Sequence, residues 1–154
     1  MRKLIIDTDC GSDDAVALIM ALKSREISVE AITTVGGNVP VELATQNALM
    51  TMEITGAQMP PLYAGAARPL FRDLVTAVNV HGEDGMGDLG LIHPAGRAET
   101  EHAADAILRI VKTYPDEVEI VTIGPVTNIA LAIMKDPAAM KRVKHIYSMG
   151  TTGF

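Results

Sequence analysis

The sequence predicts an α/β fold, with an open, mainly parallel, Rossmann-like sheet that carries helices on both faces. Short apolar segments typical of buried strands alternate with longer segments of helical spacing, and this alternation is typical of a parallel sheet. The first apolar segment also runs into a cluster of acidic residues, and open α/β sheets bind their ligands at that edge. Because 48% of the 154 residues are hydrophobic, we expect a single α/β domain over residues 1–154.

Five segments have the pattern of strands. The first, Leu4 to Ile6, is a continuous apolar run. The second, Ser28 to Val35, is rich in β-branched residues and ends in two glycines. The remaining three are Leu62 to Ala64, Glu117 to Ile123 and His145 to Met149.

Helices are predicted between these strands. Ser12 is a good N-cap residue, and apolar residues then recur at helical spacing. Val41 to Thr55 is closed by Gly56, a residue typical of helix C-termini. Glu99 to Thr113 has one apolar face, and Pro125 opens another helix at the first position, which proline favours.

The stretch from Gly65 to Gly96 is dense in glycine and proline and has poor periodicity. We predict a long loop region there, with one short helix around Leu70 to Val75. Long irregular loops inside compact domains are usually functional, so this region is a candidate part of the binding site.

Charge and composition exclude several function classes. The net charge of −6 and the absence of any basic cluster argue against nucleic-acid and anionic-membrane partners. The single cysteine excludes an internal disulfide, and the first apolar run is too short for a signal peptide. No long apolar segment follows, so we expect a soluble, cytoplasmic protein without a nucleic-acid or membrane partner.

Four carboxylates lie within eight residues at the end of the first strand. Asp7 and Asp9 point to the same side of an extended segment, while Asp13 and Asp14 lie in the first helical turn. Carboxylates this close repel one another, so either some are protonated or a cation lies among them. Ca²⁺ and Mg²⁺ both prefer oxygen ligands. The alternative is that Asp13 and Asp14 only cap the helix while the other two are solvated.

Residues 7–18, Asp-Thr-Asp-Cys-Gly-Ser-Asp-Asp-Ala-Val-Ala-Leu, resemble the signature of the nucleoside hydrolases, the inosine-uridine preferring N-ribohydrolases. Three later segments match that family in the expected order: Val-Gly-Gly-Asn at 35–38, Asn-Val-His-Gly-Glu-Asp-Gly at 79–85 and Gly-Pro-Val-Thr-Asn-Ile-Ala at 124–130. The family usually carries proline where this chain has Cys10, and its chains are about twice as long.

The resemblance implies hydrolysis of the N-glycosidic bond of ribonucleosides to ribose and free base, with a Ca²⁺-bound water as the nucleophile. By this resemblance, Asp9 and Asp14 would bind the calcium ion together with the backbone carbonyl of Ile123. Asp13 would be the general base and would also contact the substrate. A cation lowers the pKa of its water, and a neighbouring carboxylate can then take the proton.

Three further residues receive roles from the same resemblance. Asn38 would hydrogen-bond the ribose hydroxyls, and His81 would lie near the nucleobase and donate a proton or a hydrogen bond to it. Asp7 would lie behind the metal ligands and orient the loop or a ligand. From the residues alone, Asn38 is equally well explained as a turn residue, and a lone loop histidine is more often solvated.

Two alternatives remain open. In the family, a further metal-binding aspartate and several ribose-binding residues come from the second half, so this chain is alternatively a truncated, non-catalytic domain that binds ribose or metal or associates with itself. A haloacid dehalogenase-type phosphatase would use Asp7 as nucleophile, Asp9 as general acid and Mg²⁺ as cofactor, but that family lacks an Asp-Asp pair at the start of the helix. Relatives in the nucleoside hydrolase family are commonly dimers or tetramers, so we also expect a homo-oligomer.

Overall fold

The computed structural model describes residues 1–57, 59–90 and 93–150. Within them lie five strands: β1 (Arg2–Thr8), β2 (Ile27–Thr34), β3 (Leu62–Ala64), β4 (Val118–Thr122) and β5 (His145–Ser148). They form one sheet in the order β3-β2-β1-β4-β5, and every neighbouring pair is parallel. The predicted parallel α/β architecture is therefore confirmed, with β1 at the centre of the sheet.

Helices cover both faces of this sheet, as predicted. They are α1 (Ser12–Lys23), α2 (Val41–Thr55), α3 (Val78–His81), α4 (Ala103–Thr113), α5 (Thr127–Lys135) and α6 (Pro137–Met140). Side chains alternate along β1, so Leu4 and Ile6 pack with α1 and α2, whereas Ile5 packs with α4 and α5 on the other face. Within the described residues, no helix combines the length and the apolar character needed to cross a membrane.

The bounds of α2 and β3 are those predicted, and Gly56 ends α2 in the left-handed conformation at φ 57°. The start of α1 differs from the prediction because Gly11, not Ser12, is its N-cap residue. The backbone N–H of Gly11 donates to the carboxylate of Asp14 at 2.8 Å. Asp14 thus satisfies the backbone donor of the N-cap residue from within the first turn of α1.

Two other helices begin later than predicted. Glu99 pairs with the β3 edge, where its N–H donates to the carbonyl of Leu62 at 2.8 Å, so α4 begins only at Ala103. Pro125 precedes α5 by two residues instead of opening it. Helical spacing alone would include these residues in α4 and α5, but the first forms a tertiary contact and the second lies in the connection between β4 and α5.

The short helix predicted around Leu70 to Val75 is wrong. Phe71 is 93% exposed and Val75 is 86% exposed, so this apolar run has no face on which a short helix could pack. The loop region instead contains the short helix α3, which ends at His81. Residues 91–92 of the predicted loop region and residues 151–154 of the predicted domain lie outside the described residues.

Candidate active site

A cleft of about 560 Å³ opens at the carboxyl edge of the sheet, where β1, β2 and β4 end side by side. Parallel strands end at the same edge, so the segments that follow these three strands meet there. The cleft brings together five of the residues predicted from the sequence: Asp9, Asp13, Asn38, His81 and Ile123. Asp14 contacts the cleft through Asn38, and Asp7 lies behind it in the sheet.

Asp9 is buried at the base of the cleft, with 5% of its surface exposed. One carboxylate oxygen, Oδ2, accepts the backbone N–H of Asn38 at 2.7 Å, while the buried Oδ1 has no hydrogen-bond partner. A Cβ atom at Gly37 would lie 2.1 Å from Oδ2, and one at Gly124 would lie 2.9 Å from Oδ1. Both glycines are therefore required for the carboxylate to lie in this position, and burial raises its pKa.

Asp14 is the second buried carboxylate, with 3% of its surface exposed. Its Oδ2 accepts the N–H of Gly11 and lies 3.3 Å from the Nδ2 donor of Asn38. The pKa of Asp14 is raised to about 7, chiefly by burial; the nearby charges of Asp9 and Asp13 act in the same direction, and the hydrogen bond from Gly11 opposes them. Asn38 thus links the two buried carboxylates, with its backbone on one and its side chain on the other.

Asp13 differs from these two because its side chain is 67% exposed at the mouth of the cleft. The Nδ1 atom of His81 lies 3.8 Å from Asp13 Oδ1 and 3.2 Å from Ser12 Oγ. A Cβ at Gly11 would lie 3.0 Å from this imidazole nitrogen and 2.8 Å from the side-chain nitrogen of Asn38. The absence of a side chain at Gly11 lets both polar groups approach the start of α1.

Asp7 is fully buried behind the cleft. Its Oδ1 accepts hydrogen bonds from Thr33 Oγ1 at 2.5 Å and from Asn128 Nδ2 at 2.8 Å, whereas Oδ2 has no partner. Burial raises the pKa of Asp7 to about 7, although these two donors oppose the shift. Asn128 also donates to the carbonyl of Thr34 and accepts the N–H of Ala66, so it ties β1, β2 and the segment after β3 to α5.

The donor set suits a hard cation but is incomplete. Among the described residues, no three His, Cys, Asp or Glu side chains are arranged to hold a metal ion. The site offers the carboxylate of Asp9, whose Oδ1 is buried without a partner, and the carboxylate of Asp14, and Ile123 lines the same cleft. Cys10 is buried and burial raises the pKa of its thiol, so it is a poor ligand here.

Two asparagines at the site were not identified from the sequence as site residues. Asn128 contacts Asp7 directly, and Asn47 of α2 contacts the backbone next to Asp9. A polar amide on the inward face of a helix was the available signal, since a buried amide requires hydrogen-bond partners. The sequence could not say which partners these would be.

The family model for inosine-uridine preferring nucleoside hydrolases matches residues 4–154. Uridine nucleosidase 1 of Arabidopsis thaliana is 40% identical over 99% of this chain and 46% of its own length. The inosine-uridine preferring nucleoside hydrolase of Crithidia fasciculata is 39% identical over 97% of this chain and 48% of its own. A plant nucleoside hydrolase of known structure superposes with a TM-score of 0.93 at 39% identity, over 98% of this chain and 48% of that protein. The chain spans about half the length of the curated relatives it matches, and it belongs to the inosine-uridine preferring nucleoside hydrolase family.

Proposed function

We propose that this protein hydrolyses the N-glycosidic bond of ribonucleosides and releases ribose and free base. The observation that carries the proposal is the convergence, around one cleft, of the carboxylates of Asp9, Asp13 and Asp14 with Asn38 and His81. Family membership and the names of the relatives support the reaction class. Cleavage of such a bond develops positive charge on the sugar, which nearby carboxylates favour.

Asp9 and Asp14 would hold a Ca²⁺ ion together with the backbone carbonyl of Ile123. Three observations support this assignment: Asp9 Oδ1 is buried without a partner, burial raises the pKa of both carboxylates, and all the donors are oxygen atoms. A bound cation would compensate the buried negative charge. When bound, an ion of this kind polarises a water molecule and the hydroxyl groups of a sugar.

Asp13 would be the general base. It is the exposed carboxylate of the cluster and lies at the mouth of the cleft, where an attacking water can reach it. Its carboxylate would take the proton that the water loses as it attacks the anomeric carbon. A positioned acid or base of this kind contributes roughly 10²–10⁴-fold to the rate.

Asn38 and His81 would bind the two parts of the substrate. Asn38 contacts both proposed metal ligands, Asp9 and Asp14, so its side-chain amide can hydrogen-bond ribose hydroxyls held next to them. The Nδ1 atom of His81 faces Ser12 and Asp13, which leaves Nε2 to donate a proton or a hydrogen bond to the departing base. Asp7 would act through the backbone of β1 and not on the substrate, because it is fully buried.

A second candidate function is binding of ribose or metal without turnover. The incomplete donor set among the described residues favours it, because Ca²⁺ takes six to eight oxygen ligands. In the sheet formed by the described residues, β5 is an outer strand, and all four of its residues are exposed, among them Ile146 and Tyr147. An exposed edge strand readily pairs with another chain, so we also propose that this protein forms a homo-oligomer. Size-exclusion chromatography that gives only a monomer would contradict this assembly.

The deciding experiment measures reducing sugar released from inosine, uridine and cytidine, with and without a calcium chelator. We expect the chelator to abolish release and Asp13→Asn to lower it by roughly 10²–10⁴-fold. The control is Asp105→Asn, which changes an exposed carboxylate paired with Lys135 on the other face of the sheet. Calcium binding by a folded but inactive chain would favour the non-catalytic function.

Phosphate release from phosphate esters would instead support the phosphatase interpretation. The structure disfavours that interpretation because the nucleophile would be Asp7, which is fully buried and held by Thr33 and Asn128. Release of phosphate without reducing sugar would overturn the proposed nucleoside hydrolysis.

A further inference from the structure

Asn47 is a buried polar residue on the inner face of α2. It is 4% exposed and lies among apolar neighbours such as Ala44 and Ala48, which belong to the hydrophobic core under α1 and α2. A buried amide is costly unless it is hydrogen-bonded, so its partners indicate why the helix tolerates it.

Both partners of Asn47 are backbone carbonyls in segments that build the cleft. Its Nδ2 donates to the carbonyl of Cys10 at 3.2 Å and to the carbonyl of Asp84 at 2.8 Å. Cys10 directly follows Asp9, and Asp84 follows His81 by three residues. One amide group therefore connects the segment of the buried carboxylates with the segment of the histidine.

The segment that follows His81, residues 82–88, is tightly folded on itself. The N–H of Gly87 donates to the carbonyl of His81 at 2.7 Å, and Asp84 Oδ1 accepts the N–H groups of Met86 and Asp88. Gly85 has a φ of 77°, and a Cβ there would lie 3.0 Å from Asn47 Nδ2. The segment is thus a small rigid unit that presses against Asn47.

We propose that Asn47 is a positioning residue that fixes His81 against Asp13 across the cleft. Its amide holds the unit of residues 82–88 to the backbone next to Asp9, while the N–H of Ala77, bonded to the carbonyl of Asn38, anchors the other end of α3. The positional part of this inference depends only on these contacts, whereas its consequence for turnover rests on the proposed function.

The first test measures how fast diethyl pyrocarbonate modifies each histidine at fixed pH, followed by mass spectrometry of the peptides. In Asn47→Ala the two carbonyls lose their donor, so the unit opens more often and His81 should react about tenfold faster or more. The exposed His145 is the internal reference. Gln46→Ala, the neighbouring amide on α2, is the matched control and should leave the His81 rate unchanged.

Asn47→Ser retains one donor and should show an intermediate His81 rate, which keeps the test valid if Asn47→Ala does not fold. Circular dichroism establishes that each variant is folded. A His81 rate within about twofold of the unmodified protein in a folded Asn47 variant would overturn the positional role, because loss of a buried donor should shift local opening by more than that.

The second test compares uridine with p-nitrophenyl riboside, whose leaving group needs no proton. If Asn47 acts through His81, then Asn47→Ala and His81→Ala should both lower kcat on uridine by about tenfold or more. Both variants should leave kcat on the nitrophenyl substrate within about twofold of the unmodified protein. Equal loss on both substrates would mean a general structural role. If the unmodified protein cleaves neither substrate, the proposed function fails, and the modification rates still decide the position of His81.

Discussion

At the scale of single residues, the site is defined by how differently its carboxylates are buried. Asp9 and Asp14 are buried, and Asp13 is exposed at the cleft mouth. They lie within six residues of one another, so the difference comes from the turn at Gly11 and from the packing of Gly37 and Gly124 on Asp9. This difference separates the metal ligands from the general base in the proposed mechanism.

The raised pKa values predict how calcium would stabilise the fold if it binds as proposed. Without a cation, Asp9 and Asp14 bind protons more tightly when folded than when unfolded, so their contribution to stability falls as pH rises toward about 7, the pKa of Asp14. In the proposed site calcium would replace those protons, and we expect it to raise Tm more at pH 8 than at pH 5. At a hundredfold excess over Kd the stabilisation is about 2.7 kcal/mol.

Calorimetry with and without calcium at both pH values measures this effect. Asp9→Asn should abolish the calcium-dependent rise, while Asp105→Asn, on the far side of the sheet, should retain it. An equal rise at both pH values would contradict the assignment of these carboxylates as ligands.

At the scale of elements, Asn128 joins four segments at the carboxyl edge of the sheet. Asn128 is the second residue of α5. Its side chain contacts Asp7 of β1, the last residue of β2 and the backbone after β3. The N–H of Gly36 in turn donates to the carbonyl of Ala66 at 2.8 Å. The loop that carries Asn38 is therefore supported from behind by a buried network.

Asn128→Ala should lower the free energy of unfolding by about 1–3 kcal/mol, because it leaves the N–H of Ala66 without its acceptor and leaves the buried carboxylate of Asp7 with Thr33 as its remaining donor. Urea denaturation followed by circular dichroism measures the change. Asn79→Ala, which alters an exposed residue of α3, is the control and should change stability by less than about 0.5 kcal/mol. A similar loss in both variants would show that the buried network is not responsible.

At the scale of the whole molecule, a buried acid near the amino ends of the strands contributes to stability on the side away from the cleft. Glu119 of β4 is 1% exposed, forms an ion pair with Arg2 of β1, and accepts a hydrogen bond from Lys144 at 3.0 Å. The hydrogen bond from Arg2 lowers the pKa of Glu119 to about 2, against the effect of burial. Through Arg2 and Lys144, Glu119 therefore connects the central strand β1 to the segment that leads into β5.

The lowered pKa gives stability a defined pH dependence. Glu119 contributes fully above its ordinary pKa of 4.5, and this contribution is lost as pH falls toward about 2. Glu119→Gln should therefore lower Tm most near pH 6 to 7, with a difference from the unmodified protein that shrinks below about pH 4.5. Thermal unfolding across this pH range measures the difference. A constant difference would mean that the carboxylate charge does not contribute.

The local sequence pattern was sufficient to predict the bounds of an element that do not depend on tertiary contacts. The length of α2 follows from its helical spacing and from Gly56, which adopts the left-handed conformation that glycine permits. The local pattern did not predict α3 or the starts of α4 and α1. Glu99 pairs with the distant strand β3, and Asp14 accepts the N–H of Gly11, so helical spacing alone does not define where these helices begin.

The parallel α/β architecture and the family follow from the amino-acid sequence alone, because the strand and helix periods and four ordered motifs are local properties of the chain. The sequence also predicted which carboxylates meet at the carboxyl edge of β1. The folded chain was needed to show that Asp9 and Asp14 are buried, that Asp13 is exposed, and that Asn47 and Asn128 support the site. Burial and hydrogen-bond partners depend on residues far apart in the chain, so no local pattern specifies them.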